Sequence, residues 1–297
     1  MNVSGWKKGK IGDLFSHTTS GEWGKEASAG NGIPVLRSTN FTNSGVIDYS
    51  DIVFRQIDNQ RLTTRQINTG TILIEKSGGG PSQPAGRVVY CDKEFGGTAS
   101  NFIEIANVRD GFSSKYVFYL LYYLYRVGLV LKYQQQTTGI INFKLNEYKD
   151  EEIFLPDSLP EQTQIAAILS TLDQAIEQTE AIIAKQQRIK TGLMQDLLTR
   201  GIDAQGNIRS EATHEFKDSS LGRIPVEWEV VPIYEAGEVT MGRQLSPKYR
   251  QGRNPTPYLR VANVFDGWID YSDVLEMDFS SNEKNKFMLQ YGDILLN

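Results

Sequence analysis

Pro160 to Arg200 reads PEQTQIAAILSTLDQAIEQTEAIIAKQQRIKTGLMQDLLTR. Pro160 stands where proline is tolerated, in a first helical turn, and Glu161 suits the positive end of the macrodipole. The first glycine is Gly192 and the next proline is Pro225, so no strong breaker interrupts the stretch. Ile165, Ile168, Leu172, Ala175, Thr179, Ile182, Gln186, Ile189 and Leu193 recur at spacings of three and four, which is a heptad seam. Leu169, Ile176, Ile183 and Leu197 widen the stripe, so the helix is expected to touch more than one surface. Gly201 supplies a stop. At 1.5 Å per residue the helix would reach roughly 60 Å, further than a small domain needs to cover its core. It reads as a spacer or docking rod. Thr179 and Gln186 within the seam restrict register and partner choice.

On either side of this helix the chain repeats itself. WKKGKIGDL (Trp6–Leu14) matches WEVVPIYEA (Trp228–Ala236), and VLRSTNF (Val35–Phe41) matches YLRVANV (Tyr258–Val264). GVIDYSD (Gly45–Asp51) matches GWIDYSD (Gly267–Asp273), and TGTILIE (Thr69–Glu75) matches YGDILLN (Tyr291–Asn297). The offset stays at 222 or 223 residues throughout. The second copy stops at the counterpart of Glu75, in what reads as mid-strand. A domain cut there would leave unpaired strand edges, so the expectation is a truncated product or a fragment of a longer chain.

The fold class expected is α+β. Short β-rich runs (33–36, 45–49, 71–74, 87–90, 102–105 and 152–155) surround a helix near 113–132, without regular βαβ alternation. The expected organisation is a globular domain over 1–157, the long helix over 158–200, a polar glycine-punctuated linker over 201–224, and a partial second domain over 225–297.

Composition excludes several classes. The 297 residues are 39% hydrophobic and 23% charged, ordinary for a globular chain. The longest near-apolar run, Tyr116–Tyr125, is too short to span a bilayer, so no membrane partner is expected. Lysines near the N-terminus have no apolar segment behind them, which argues against a signal peptide. The single cysteine, Cys91, rules out an internal disulfide framework and suits a reducing cytoplasm. Two distant histidines, His17 and His214, make a structural zinc site unexpected. A net charge of -5 argues against a broadly basic nucleic-acid coat but permits a local basic face.

No catalytic centre emerges. NPTPY (Asn254–Tyr258) looks like an adenine-methyltransferase tetrapeptide with an insertion, but no cofactor loop precedes it. GGGPSQPAGR (Gly78–Arg87) lacks the Gly-Lys-Ser/Thr ending of a phosphate cradle, and its prolines remove donors. It reads as a mobile glycine-rich loop. The histidines have no paired serine, cysteine or carboxylate pattern.

The tract IFLPDSLPEQTQIAAIL (Ile153–Leu169), the segment LGRIPVEWEVV (Leu221–Val231) and the paired LRSTNF/LRVANV runs resemble the specificity (S) subunits of type I restriction-modification enzymes. The resemblance covers nearly the whole chain. It implies target recognition domains alternating with coiled-coil-forming helices that bind methyltransferase (M) subunits. Each recognition domain reads one half of a bipartite site in double-stranded DNA. It implies no catalysis and no cofactor on this chain: S-adenosylmethionine belongs to the M subunits, and restriction (R) subunits join through M. The second family helix has no counterpart here, which puts bivalent reading by one copy in doubt. A homodimer through the unpaired seam would restore two-fold symmetry.

The repeat separates scaffold from readers. Residues identical in both copies (Trp6/Trp228, Arg37/Arg260, Asn40/Asn263, Asp48–Tyr49/Asp270–Tyr271) are expected to be structural or docking residues. Base readers belong where the copies differ, in polar loops. The candidates are Lys76, Ser77, Gln83 and Arg87 around the glycine loop, and Gln134, Gln135, Gln136, Thr137, Thr138, Asn142 and Lys144 after the helix. Gln and Asn suit adenine, Arg and Lys suit guanine, and Thr suits the thymine methyl. Residues 1–155 hold 17 basic against 15 acidic side chains. Arg243, Lys248, Arg250, Arg253 and Arg260 occur with no acid between Glu238 and Asp266, a stretch able to grip phosphates. The partner-binding candidates are Ile165, Ile168, Leu169, Leu172, Ile176, Ile182, Ile183, Ile189, Leu193 and Leu197. The expected function is DNA sequence recognition that positions a methyltransferase for adenine methylation. The alternative is a non-productive S-like protein that occupies M subunits and modulates restriction.

Overall fold

The computed structural model describes residues 5–27, 31–80, 83–137, 139–244, 246, 249–250 and 252–296. They fall into two compact units, Met1–Gln186 and Gln187–Asn297.

The first unit is built on strands β1 (Trp6–Lys10), β2 (Phe15–Ser20), β3 (Lys25–Glu26), β4 (Ile33–Leu36) and β5 (Val53–Gln56), followed by helix α1 (Asn59–Thr63). Next come β6 (Ile72–Glu75), β7 (Ser77–Gly79), β8 (Val88–Tyr90), β9 (Thr98–Ala99) and β10 (Ile103–Val108), then helix α2 (Ser114–Arg126). Strands β11 (Gln134–Thr137) and β12 (Ile140–Phe143), helix α3 (Leu145–Lys149) and strand β13 (Glu152–Pro156) lead into helix α4 (Leu159–Arg200). The division between the units falls within α4.

The organising sheet is antiparallel, in the order β2-β10-β6-β8. Side chains alternate across a strand. Thus Ile72 and Ile74 of β6 enter one core with Val117, Leu121 and Tyr148, while Leu73 enters a second with Leu36, Ile67 and Ile103. Helix α2 packs on the first face, and the β3-β5-β4-β9 sheet contributes Leu36 and Ala99 to the core on the second. Covering both faces accounts for the uninterrupted apolar run of β6. The run at 45–49 does not form a strand; there Ile47 makes one isolated bridge to Phe41.

The start of α4 is fixed to this unit by directional bonds. Gln162 is buried; its Nε2 donates to the Pro156 carbonyl at 3.0 Å and its Oε1 accepts the Ser113 N–H at 3.0 Å. Trp6 Nε1 donates to Glu161 at 3.1 Å, and the Tyr119 hydroxyl donates to Asp173 at 2.6 Å. The helix is continuous to Arg200, as the sequence spacing predicts.

The second unit contains the hairpin β14 (Phe216–Ser219) and β15 (Gly222–Pro225), helix α5 (Ile233–Ala236), and strands β16 (Pro255–Tyr258), β17 (Val264–Phe265), β18 (Trp268–Ile269) and β19 (Leu275–Asp278), then helix α6 (Ser281–Phe287). It reproduces part of the first unit bond for bond. Asn40 Oδ1 accepts the Arg37 N–H at 2.8 Å, and its Nδ2 donates to the Asp48 and Asp51 carbonyls at 2.9 Å each. Asn263 does the same with Arg260 (3.0 Å), Asp270 (3.1 Å) and Asp273 (2.9 Å). Arg37 pairs with Asp51 at 2.6 Å and Arg260 with Asp273 at 2.7 Å. Both intervening turns need a left-handed glycine, Gly45 (φ 80°) and Gly267 (φ 81°). The registers agree too, Val35 opposite Val53 and Tyr258 opposite Leu275. Further on the copies diverge: Ile72 and Ile74 are buried, whereas their counterparts Ile294 and Leu296 are exposed and outside any strand.

Replacing Asn40 with Ala removes three bonds and takes from the part-buried Arg37 N–H and the Asp48 carbonyl the partner that Asn40 supplies, while the Asp51 carbonyl keeps Arg37 Nη2 at 3.2 Å. Urea unfolding is expected to show a loss of about 1–3 kcal/mol in the first unit, and Asn263→Ala a similar loss confined to the second.

Candidate nucleic-acid interface

The segment expected as a polar loop after α2 is a β-hairpin. Strands β11 and β12 pair Gln134 with Phe143, Gln135 with Asn142 and Gln136 with Ile141, and β12 continues onto β7 through Asn142 and Ser77. Gly139, at a left-handed φ of 85°, lies in the turn. Phe143 and Ile141 seat the hairpin on the apolar core. A two-stranded ribbon of this kind has the dimensions to enter a DNA major groove. Gln135 and Gln136 are exposed on it. Thr137 lies on β11, and Thr138 falls outside the described residues.

Other candidates are occupied internally. Gln134 clamps the glycine-rich loop: its Oε1 accepts the Ala85 N–H at 3.1 Å, and its Nε2 donates to the carbonyls of Ala85 (2.9 Å) and Val130 (2.8 Å). Ser77 is buried and bonds Asn142 Oδ1. Gln83 Nε2 donates to Asn43 Oδ1 at 2.6 Å. Arg87 requires a correction. Its guanidinium is buried, donates twice to Glu75 at 2.8 Å, and donates to the carbonyls of Phe41 (2.9 Å) and Ser38 (3.0 Å). With its donors held inside the fold and no exposed fork, Arg87 is a scaffold residue and not a base reader. The Glu75 carboxylate holds the guanidinium above its already high ordinary range, against the opposing effect of burial. The loop expected to be mobile is correspondingly tied down, by β7, the Gly80–Gln83 bridge and the Gln134 clamp.

Lys76 and Lys144 lie at the base of the ribbon, with Lys76 paired to Glu104 at 3.1 Å and Lys144 to Glu147 at 3.1 Å. Lys149 approaches Glu104 at 3.9 Å from the far end of α3. Sequence reasoning passed over Lys149 and Glu104, because only the strand pairing brings them beside Lys76.

In the second unit Arg243 is likewise occupied. It pairs with Glu283 at 2.9 Å and donates to the Asp278 carbonyl at 3.2 Å, with its guanidinium over the Tyr249 ring. Arg250 and Arg253 are exposed; Lys248 falls outside the described residues. Of the ten apolar helix positions, Ile165 and Leu169 pack on the core of the first unit and are thereby removed from the partner-binding set. The other eight, from Ile168 to Leu197, are 41–62% exposed. Among the described residues no cluster of three histidine, cysteine or carboxylate side chains suits a metal, and no helix is long and apolar enough to cross a membrane.

The chain thus carries a ribbon with exposed amides and, separately, a helix with exposed isoleucines and leucines. The family model of the type I restriction modification DNA specificity domain matches residues 3–186, and the chain belongs to that family. It is 33% identical over 181 residues to the type I restriction enzyme MjaVIII specificity subunit of Methanocaldococcus jannaschii, a match covering 60% of this chain and 40% of the relative. It is 24% identical over 278 residues to the putative MjaX specificity subunit of the same organism, covering 90% and 63%. The chain thus spans less than two thirds of either relative, and both are named specificity subunits. Among solved structures, the S subunit of a type I system from M. genitalium is 20% identical, covering 66% of this chain and 47% of that one with a TM-score of 0.44. The HsdS subunit from Thermoanaerobacter tengcongensis is 16% identical, covering 66% and 45% with a TM-score of 0.41.

Arg87→Met leaves the Glu75 carboxylate buried without its cation. Denaturant unfolding is expected to show a loss of about 3–5 kcal/mol, far above the effect of truncating a solvated loop arginine.

Proposed function

We propose that this chain is a non-catalytic DNA-reading subunit of a type I restriction-modification complex, contributing recognition of part of a bipartite target and positioning methyltransferase subunits for adenine methylation. In this reading residues 1–157 are the first target recognition domain, 158–200 the spacer helix, 201–224 a linker and 225–297 part of a second recognition domain. The observation that carries it is the contrast along α4. Its first turns are locked to the domain through Gln162, Glu161 and Asp173, while Ile168 and the apolar stripe from Leu172 onward are bare. Bare isoleucine and leucine at heptad spacing call for a second helical surface, supplied by M subunits or by α4 of another copy. S-adenosylmethionine enters on the M subunits, and R subunits join through M.

Within the first recognition domain the reading falls to the β11–β12 ribbon, with Gln135 and Gln136 suited to bidentate contact with adenine. Arg250 and Arg253 are left as phosphate contacts in the second.

Methylome sequencing of cells carrying this chain with a type I methyltransferase is expected to show a new methylated-adenine motif. A fall in existing methylation with no new motif would identify a decoy instead. Gln136→Ala is expected to relax one position of that motif by about 1–3 kcal/mol of discrimination, read from binding to duplexes substituted one base pair at a time. Ile176→Glu is expected to abolish co-purification with the methyltransferase while leaving the thermal unfolding of the isolated chain unchanged, because Ile176 is already in solvent.

A further inference from the structure

Three cations from distant parts of the sequence meet along one edge of the main sheet. Strand β2 is that edge, paired among the described residues with β10 alone. Lys149 Nζ donates to Thr18 Oγ1 at 2.6 Å, Lys76 Nζ donates to Ser20 Oγ, and Arg65 Nε donates to the Ser20 carbonyl at 3.1 Å. Glu104, buried on β10, lies between the two lysines, 3.1 Å from Lys76 and 3.9 Å from Lys149. A cleft of about 510 Å³ opens over Ser20, Lys76 and Glu104, with Lys144 and Glu147 on its wall. Lys144 is matched by Glu147. Arg65 is held further by the Arg61 carbonyl and the Thr64 hydroxyl, and neither it nor Lys149 lines the cleft, where Lys76 and Lys144 stand against Glu104 and Glu147. At Glu104 itself two lysines share one carboxylate, which leaves positive charge in excess there.

The backbone ties this cluster to the ribbon. The Lys76 carbonyl accepts the Phe143 N–H at 2.7 Å, and the Lys76 N–H donates to Phe102 at 2.8 Å. A ribbon seated in a major groove brings the bordering sugar–phosphate strand against its foot. We propose that Lys76 and Lys149 form a site for a backbone phosphodiester of duplex DNA, and that Glu104 is the resident carboxylate this phosphate displaces. The assignment rests on the reading of the ribbon as the DNA-facing element. Glu104 then acts on specificity. A poorly seated duplex leaves both lysines paired to it, which restrains the sequence-independent part of the affinity; a seated ribbon holds the phosphate close enough to win them. Restraining that part raises the ratio of specific to non-specific binding.

The test is binding of the full chain to a scrambled duplex, and to a duplex carrying any motif found by methylome sequencing, across a salt series. Lys76→Met combined with Lys149→Met keeps the aliphatic stems and removes two phosphate partners. The slope of log affinity against log salt is expected to become shallower by about 0.9, the value for one phosphate, on the motif duplex, and on the scrambled duplex once Glu104→Gln has released the lysines, but to stay unchanged on the scrambled duplex while Glu104 holds them. Lys76→Arg, which keeps the charge, is expected to retain the parent slope. Glu104→Gln is expected to tighten binding to the scrambled duplex more than to the motif, so that their ratio falls. An unchanged slope in the double variant on the motif duplex or in the Glu104→Gln background, a slope lost equally in Lys76→Arg, or an unaltered ratio in Glu104→Gln would each overturn the assignment. The scrambled duplex needs no known target, so the double lysine variant compared with its parent in the Glu104→Gln background decides the phosphate site even where the chain directs no methylation and the proposed function is defeated. Failure of the parent chain to bind any duplex defeats both.

Discussion

A carboxylate buried at the end of a central strand must have a cation, and in this chain that requirement shapes much of the first unit. Glu75 closes β6, whose two faces are both covered, and Arg87 answers it with a two-point bond. The same guanidinium reaches the carbonyls of Ser38 and Phe41, so one side chain joins the main sheet to the turn that carries Asn40. The Glu75 N–H returns a bond to the Arg87 carbonyl at 2.8 Å. The glycine-rich segment between them therefore has fixed ends, and Gln134 fastens Ala85, close to the Arg87 end, to the β11–β12 hairpin. Breaking the pair would release the platform on which the ribbon and the cleft stand.

The long helix was legible in the sequence because its determinants are local: spacing, the absence of breakers, and a glycine at the end. The repeat was legible because identical turns demand identical residues. Asn40 and Asn263 were expected to be scaffold for that reason, and their matching bonds supply the physical content. What the sequence concealed depends on pairing between distant segments. The tract at 134–144 reads as a polar loop because glutamine and threonine fill its first half, while the seating residues, Phe143 and Ile141, are few. Arg87 looks like a base reader by residue type; only the fold puts Glu75 beside it. Lys149, more than 70 residues from Lys76 in the chain, is brought near it by strand pairing and by no local pattern. Composition could not separate an arginine that meets solvent from one that meets a carboxylate.

The stripe on α4 shows the same limit. Heptad spacing runs unbroken from Ile165 to Leu193, yet Ile165 packs on the domain while Ile168 and the apolar members after it face solvent. Periodicity reports that a face is apolar, and the fold decides which part of that face is already covered. The polar bonds to Trp6, Ser113 and Tyr119 complement those first apolar contacts. Apolar packing alone tolerates sliding, whereas hydrogen bonds of fixed length set one azimuth and one axial position for the helix where it leaves the domain.

Gln162 narrows the choice of residue at its position to one. Its amide presents an acceptor to the Ser113 N–H and a donor to the Pro156 carbonyl at the same time. Glutamate would keep the first contact and set a negative oxygen against a carbonyl in the second; leucine would fill the volume and orphan both backbone groups; asparagine is a methylene too short. The glutamine of this tract is thus an adapter between two main-chain polarities, and drift at that site is closed to its nearest isosteres.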